Sequence, residues 1–284
     1  MVGMGLQLID SHFHLWKHDT LLVPGSLSLP PLNRDINWED YAAATDGVDI
    51  AASVMVQVDH APVDGEPEVE WIETVAAEHP TLKAVVAWAP LETEARKEHL
   101  DRLVRHAIVR GIRRNTQHEP DPGFCAQPEF IAGAAVLADY GLPCDLCVLA
   151  EQLEAVVALA RACPQTTFVL NHIGKPDIRN HVTEPWRTHM AALADLGNVY
   201  CKLSPVARGE NSPWSKEAIA GYVETVIGLF GSDRILWASN WPVSLLATEY
   251  RAWVDLAMDL TSGLGSEGQK AVFHDNAAGI YRIG

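Results

Sequence analysis

The feature that most constrains the fold of this chain is a regular alternation of buried-strand and helical patterns along its whole length. Eight near-continuous apolar runs have the character of parallel strands that are buried on both faces. They lie at about residues 6–10, 51–58, 83–88, 107–113, 143–148, 167–171, 199–203 and 234–239. Helical spacing follows at about 39–46, 67–79, 92–106, 128–140, 150–162, 185–196, 215–230 and 246–262, with a short helix near 267–274. Eight successive strand–helix units predict an α/β fold, the closed (β/α)8 or TIM barrel.

Length and composition are compatible with one domain that spans residues 1–284. A chain of this length with 48% apolar residues can bury a full core, and α/β barrels of about this size are commonly single domains. No repeat of fixed period and no low-complexity segment favours another architecture. The longest irregular stretch, at 18–37, is rich in proline and leucine and is expected to overhang the barrel mouth.

Net charge and cysteine content limit the classes of partner and the cellular compartment that can be expected. A net charge of −16, a pI near 5.1 and the lack of a Lys/Arg-rich run argue against nucleic acid or an anionic membrane surface as a partner. No apolar segment reaches the roughly 18 to 20 residues that cross a bilayer, and the amino terminus has no signal-peptide pattern, so a cytoplasmic protein is expected. The odd number of cysteines fits reduced thiols, and Cys144 and Cys147 are expected to face opposite sides of one strand as structural residues.

The candidate catalytic residues follow the predicted strands, at the end of the barrel where reacting groups lie in this fold. His12 and His14 end the first strand, and their spacing puts both side chains on one face, where they can meet one metal ion or one substrate oxygen. Polar groups that end later strands are Gln57, Asp59, His60, Arg113, Arg114, His172, Lys202, Ser204 and Asn240.

Four residues at or next to these strand ends also allow a purely structural interpretation. Arg113 and Arg114 are adjacent in a strand, so only one of them can point inward. Lys202 is a costly charge inside a barrel unless it is paired, which favours a role in the site. Trp241 either stacks on a sugar ring or fills the rim of the barrel.

Several motifs carry a resemblance that covers nearly the whole chain. They are Asp10-Ser-His12-Phe-His14, Gly111-Ile-Arg113-Arg-Asn-Thr-Gln117, His172-Ile-Gly-Lys-Pro176, Cys201-Lys202-Leu-Ser204 and Ser239-Asn-Trp-Pro242. With these motifs the chain resembles the amidohydrolase superfamily, and in particular its amidohydrolase 2 lactonase branch, which includes L-fuconolactonases, L-rhamnonolactonases and pyrone-dicarboxylate lactonases. The resemblance implies a (β/α)8 barrel that opens a lactone with water.

The resemblance also implies roles for individual residues. His12, His14, His172 and the residue at position 240 are the implied catalytic groups. The implied substrate-binding residues are Arg113, Arg114, Gln117, Lys202 and Trp241. The three histidines would hold one divalent metal if one is bound, and zinc suits imidazole ligands best. Because some members of this branch work without a metal, a metal-independent site is the alternative.

The departure that matters most is Asn240, where the family usually has an aspartate. An amide cannot take a proton from water at neutral pH, so Asn240 can orient a water but cannot be the general base. Three interpretations stay open: an engineered replacement, a natural variant in which His172 or a metal-bound hydroxide is the base, or a protein that no longer catalyses. We favour the natural variant.

The function expected from the sequence is hydrolysis of a small sugar-derived 1,4- or 1,5-lactone. A dicarboxylate lactone is less favoured, because an anionic substrate calls for several inward arginines. Two further classes stay open, a metal-dependent decarboxylase of the same superfamily and a catalytically silent binding protein. The expected partner is the small-molecule lactone, and assembly into a homo-oligomer stays open.

Overall fold

The computed structural model describes residues 5–17, 29–58, 65–206 and 215–283. Eight parallel strands form one sheet in which each strand pairs with the next along the chain. They are β1 Leu8–Phe13, β2 Ile50–Val56, β3 Leu82–Ala87, β4 Val109–Arg113, β5 Cys144–Leu146, β6 Phe168–Leu170, β7 Val199–Leu203 and β8 Ile235–Trp237. Each predicted strand is therefore confirmed, with ends that differ by a few residues.

The sheet closes on itself between its first and last strands. The backbone N–H of Asn240 donates to the carbonyl of His12 at 2.8 Å, and the N–H of His14 donates to the carbonyl of Trp241 at 2.8 Å. A parallel bridge also joins Phe13 to Trp241. These contacts complete the barrel and confirm the predicted TIM-barrel fold.

Helices alternate with the strands and cover the outside of the barrel. They are α1 Trp38–Ala44, α2 Glu66–Glu78, α3 Arg96–Leu103, α4 Pro128–Tyr140, α5 Leu153–Ala162, α6 Trp186–Ala194, α7 Lys216–Phe230, α8 Tyr250–Leu260, α9 Gly265–Lys270 and α10 Asn276–Tyr281. The prediction for α3 was too long at its start, because Glu92 does not enter the helix but accepts from Arg114 Nε at 2.9 Å. None of the helices in the described ranges is long and apolar enough to cross a membrane.

Local capping explains why several helices begin and end where they do. Asn37 caps α1 in a reciprocal capping box with Asp40, and the Ser215 side chain accepts from the third residue of α7. Gly141 ends α4 with φ +62°, a left-handed conformation that glycine adopts without strain. Asn37 and Ser215 thus mark helix starts and Gly141 marks a helix end, each with a residue type that is favoured at such a position.

Inside the barrel a separate apolar cluster is formed by small and β-branched side chains of the strands. It includes Ile9, Ala52, Val54, Val56, Ala84, Val86, Val169 and Leu236. The carboxyl-terminal helix α10 adds Ala277 and Tyr281 to this cluster. Because Asn276 at the start of α10 donates to the carbonyl of Ile235 at 2.7 Å, the helix covers the end of the barrel at which the strands begin.

The cysteines are structural residues. All five are buried free thiols. Cys144 packs in the layer between sheet and helices, whereas Cys147 donates its thiol to Gln117 at 3.6 Å on the other face. The expected opposite orientation of the two residues is therefore confirmed.

A buried carboxylate ties the first and last strands to two helices. Asp10 in β1 accepts from Ser239 Oγ at 2.6 Å, from Tyr41 OH in α1 at 3.0 Å and from Tyr250 OH in α8 at 3.1 Å. It is fully buried, so each donor that is lost leaves part of its charge unsatisfied. This hydrogen-bond network stabilises the barrel at the point where β1 meets β8.

Tyr250→Phe is therefore expected to lower the free energy of unfolding by about 1.5–3 kcal/mol, the range for a hydrogen bond to a charged group. Urea denaturation of the full chain measures this change. Tyr140→Phe is the matched control, because the Tyr140 OH donates to Asp101 at 2.6 Å near the surface. Equal losses in the two variants would contradict the proposed importance of the Asp10 network.

Candidate active site

The histidine pair at the end of β1 is brought together by an irregularity in the strand. The register of β1 against β2 shifts between Asp10 and Phe13, and such bulges turn side chains beside active sites. His12 and His14 then meet edge to face, with their Nε2 atoms 3.1 Å apart. The His14 Nδ1–H donates to the backbone carbonyl of Val56 at 2.7 Å, which leaves an unprotonated Nε2 that faces His12.

His172 completes a group of three imidazoles. It follows β6, and its ring centroid lies 4.7 Å from that of His12. Its Nδ1 lies 2.7 Å from the Ser204 hydroxyl oxygen at the end of β7. The structure therefore places the three histidines predicted as catalytic in one cluster at the end of the barrel where the strands finish.

Two of the candidate residues have a backbone conformation that is rare outside glycine. His172 and Asn240 both have φ +54°. A left-handed conformation at such residues costs about 1 kcal/mol or more and persists where the surrounding structure imposes it, often at functional sites. The Asn240 amide donates to the Pro205 carbonyl at 3.3 Å, and its backbone N–H is bonded to His12. Asn240 is therefore held beside the histidine cluster.

All three imidazoles are uncharged near neutral pH. Burial, together with the nearby cations, lowers the pKa of His12 and His172 well below the usual value of 6.5. The same causes lower the pKa of His14 to about 3. The cluster can consequently offer N–H donors and lone pairs, but it does not carry charge of its own.

Positive charge enters the site from Arg113 and Lys175. Arg113 is buried, donates NH2 to the Gln57 carbonyl and has its NH1 3.5 Å from His12 Nε2. Among the described residues no carboxylate pairs with Arg113, and its Nε has no hydrogen-bond partner there. Lys175 is buried and donates to Gln117 Oε1. A buried arginine without an acidic partner favours a ligand or intermediate that brings negative charge.

The structure resolves which arginine enters the barrel. Arg113 does, whereas Arg114 is bonded to Glu92 and Glu119 and stacks on Phe124 with 5.4 Å to the ring centroid. Because two carboxylates already occupy its guanidinium, the expectation that Arg114 binds substrate is corrected. Successive residues of a strand face opposite sides, which accounts for the difference.

Two further expectations of substrate contact are also corrected. The Trp241 ring packs on Tyr41 of α1, with 5.6 Å between ring centroids, which favours the rim-filling interpretation over stacking on a sugar. The Lys202 ammonium is paired with Asp145 at 2.6 Å and lies 3.4 Å from His12 Nδ1. It is a buried paired charge and not a substrate ligand. Gln117 lies near the site but accepts from Lys175.

The sequence interpretation missed Lys175 and Asp145. Lys175 stands three residues after His172 in the same motif, and this proximity was a usable signal. Asp145 is the middle residue of the short strand β5, between two residues that pack outward, so strand alternation could have placed it inside the barrel. Asp59, His60 and the segment 18–28 of the expected overhanging loop lie outside the described residues.

The barrel and the histidine cluster at its carboxyl end define a TIM-barrel protein of the hydrolase type. A family model for amidohydrolases, Amidohydro_2, matches residues 9–283, and the chain belongs to this family. The chain is 33% identical to protein y4mH of Sinorhizobium fredii, with 98% of this chain and 99% of that protein covered. It is 29% identical to an L-fucono-1,5-lactonase of Burkholderia ambifaria, with 97% and 95% covered.

A solved structure is also similar over nearly its whole length. It is a crystal structure of an amidohydrolase from Burkholderia multivorans with bound zinc, 26% identical, with a TM-score of 0.86. The match covers 98% of this chain and 100% of that one. This relative raises the question whether the histidine cluster described above fits a zinc ion.

The residues of this chain do not fit a zinc ion in the arrangement described. Three imidazoles alone would suit zinc, but Lys202 Nζ lies 3.4 Å from His12 Nδ1 and Arg113 NH1 lies 3.5 Å from His12 Nε2. Asp145 balances the charge of Lys202, but the Arg113 guanidinium has no carboxylate partner among the described residues and opposes a divalent ion at His12 Nε2. No group of three or more histidine, cysteine or acidic residues in the described part of the chain is placed to hold a metal.

Proposed function

We propose that this protein hydrolyses a small lactone derived from a sugar and releases the hydroxy acid. The observation that carries the proposal is the cluster of three neutral imidazoles beside Arg113, a buried cation without a carboxylate partner among the described residues. Lactone hydrolysis develops negative charge on the carbonyl oxygen and needs a base for water. The similarity to a protein named L-fucono-1,5-lactonase supports the same class of substrate.

Stabilisation of the carbonyl oxygen is assigned to Arg113 and His12. The guanidinium NH1 and His12 Nε2 lie 3.5 Å apart, so one oxygen can meet donors from both. Both groups are buried, and a buried donor interacts more strongly with developing charge than a solvated one. This pair would lower the barrier to addition of water.

Activation of water is assigned to His172. If its Nδ1–H donates to Ser204 Oγ, its Nε2 is the free lone pair that removes a proton from water. The water oxygen then adds to the carbonyl carbon, and the ring C–O bond breaks as the tetrahedral intermediate collapses. The proton held on Nε2 passes to the ring oxygen that leaves, which returns the enzyme to its starting protonation state, and the carboxylic acid that forms then ionises and releases a proton to solvent. The Asn240 amide oxygen orients the water.

A dicarboxylate lactone is the second candidate. The observation that favours it is the inward position of both Arg113 and Lys175, which together can bind a substrate carboxylate. Turnover of the two lactone classes at low and high salt separates the candidates, because an anionic substrate shows the steeper loss of kcat/KM with ionic strength. A sugar lactone without charge is expected to show little dependence.

His172→Ala is expected to reduce kcat/KM by about a hundredfold to ten-thousandfold, the usual contribution of a general base. The measurement is proton release from a panel of 1,4- and 1,5-sugar lactones and one dicarboxylate lactone. His189→Ala, a partly exposed position in α6, is the matched control and is expected to leave turnover unchanged. Full activity in His172→Ala would remove the proposed role, and ligand binding without turnover in the unaltered chain would instead identify a binding protein.

Asn240→Asp tests the residue in which this chain departs from the family pattern. The unaltered protein is expected to turn over lactone, because His172 is the base in the proposed mechanism and Asn240 only orients water. The aspartate variant is expected to keep the same base and to change kcat less than His172→Ala does. Activity that appears only in the aspartate variant would show that this chain is a silenced hydrolase.

The pH dependence follows from the direction of the imidazole pKa shifts. A general base works in its unprotonated form, and burial lowers the pKa of His172 well below 6.5. We therefore expect kcat/KM to stay constant as the pH falls through 6.5 and to decline only at clearly lower pH. An acid limb centred at pH 6.5 or above, measured with a substrate that is stable over this range, would contradict the mechanism.

A further inference from the structure

Lys202 is fully buried next to His12 and is bound to groups that the mechanism has not used. We propose that Lys202, held by Asp145 and by Tyr281 of the carboxyl-terminal helix, determines which nitrogen of His12 carries the proton. The catalytic consequence rests on the proposed function, whereas the effect on His12 itself does not. Lys202, Asp145 and Tyr281 are positioning residues, since they act through His12.

Asp145 is the anchor of this arrangement. Its fully buried carboxylate accepts from Lys202 Nζ at 2.6 Å, from Asn171 Nδ2 at 2.8 Å and from Tyr281 OH at 2.8 Å. The Lys202 ammonium also lies 5.2 Å from the centroid of the Tyr281 ring. These contacts fix the position of the ammonium and balance its charge, so that a lysine can remain inside the barrel.

The ammonium acts directly on His12. Lys202 Nζ lies 3.4 Å from His12 Nδ1. An ammonium has only donors, so a favourable contact requires Nδ1 to accept. A neutral imidazole has one N–H, and the proton of His12 therefore belongs on Nε2.

A second contact favours the same tautomer. His14 Nε2 carries no proton, since the Nδ1–H of His14 donates to the Val56 carbonyl, and it lies 3.1 Å from His12 Nε2. A proton on His12 Nε2 makes this a hydrogen bond, whereas the other tautomer sets two lone pairs against each other. Arg113 NH1 favours the other tautomer, but its 3.5 Å separation from His12 Nε2 is the longest of the three contacts that the His12 ring makes with Arg113, Lys202 and His14.

The tautomer decides what His12 can do. With the proton on Nε2, the N–H that bonds His14 in the free protein lies beside Arg113, and in the proposed mechanism it transfers its hydrogen bond to the carbonyl oxygen of the substrate. With the proton on Nδ1, His12 would present a lone pair to the same developing negative charge. Tyr281 enters from the opposite end of the barrel, so the carboxyl-terminal helix acts on the chemistry through Asp145 and Lys202.

The direct test is the tautomer of His12 in the full-length protein. Long-range ¹H–¹⁵N correlation spectra of imidazole-labelled protein report which ring nitrogen is protonated, and a His12→Gln variant assigns the signals. We expect the Nε2–H form in the unaltered chain. We expect an Nδ1–H population to appear in the double variant Lys202→Met with Asp145→Asn, which removes both buried charges together, because the His14 contact then acts alone against Arg113 NH1. An unchanged His12 tautomer in a folded double variant overturns the proposal.

Tyr281→Phe tests the helix contribution with a smaller change. It removes one donor to Asp145, and we expect a shift of the His12 ring signals and a loss of about tenfold in kcat with little change in KM. Tyr140→Phe removes an OH that donates to a carboxylate near the surface and is the matched control. Identical spectra for the two variants overturn the role of Tyr281. If the double variant of Lys202 and Asp145 does not fold, the comparison of Tyr281→Phe with Tyr140→Phe is the deciding test.

The spectra also separate this proposal from the proposed function. A tautomer that responds to Lys202 and Tyr281 in a protein that hydrolyses no lactone supports the positioning network and rejects the lactonase function. Hydrolysis that is unaffected by Tyr281→Phe, together with unchanged ring signals, rejects the network and leaves the function in place.

Discussion

The closure of the barrel at the contact between β1 and β8 is the constraint on which the site depends. Asp10 lies at this contact and collects hydrogen bonds from Ser239, Tyr41 and Tyr250. The residues that follow Asp10 and Ser239 are the histidine pair and Asn240. Because the same backbone bonds close the sheet and hold Asn240 beside His12, the site is assembled only when the barrel is complete.

The charge around the imidazoles is opposite in sign to the net charge of the whole chain. The protein carries a net charge of −16, but among the described residues the charged side chains that act on His172 are Lys175, Arg113 and Lys202. Asp145 neutralises Lys202, whereas no carboxylate among the described residues pairs with Arg113. Burial keeps the imidazoles neutral, and the charge of Arg113 is available to an oxyanion. The electrostatic balance inside the barrel therefore favours chemistry in which negative charge develops on a substrate.

The sequence predicted the barrel well because its signals are local and repeated. Each strand of a parallel sheet is buried on both faces, so an apolar run predicts it without knowledge of its neighbours. The spacing of His12 and His14 predicted their common face in the same way. The choice between Arg113 and Arg114 could not be made, because it depends on the phase of a strand with a register shift toward β3. Lys202 was expected to have a role in the site, because its partner Asp145 lies 57 residues away and could not be recognised from the sequence.

The sequence by itself determined the eightfold alternation, the pairing of His12 with His14, and the departure at Asn240, because these depend on residue type and short spacing. The tertiary structure alone decided which polar groups meet. It brought Tyr281 from the last helix to Asp145 in the middle of the barrel, and it buried Trp241 against Tyr41 instead of in the site. Such contacts join residues distant in the chain, and their geometry is set only when all eight strands close around one interior.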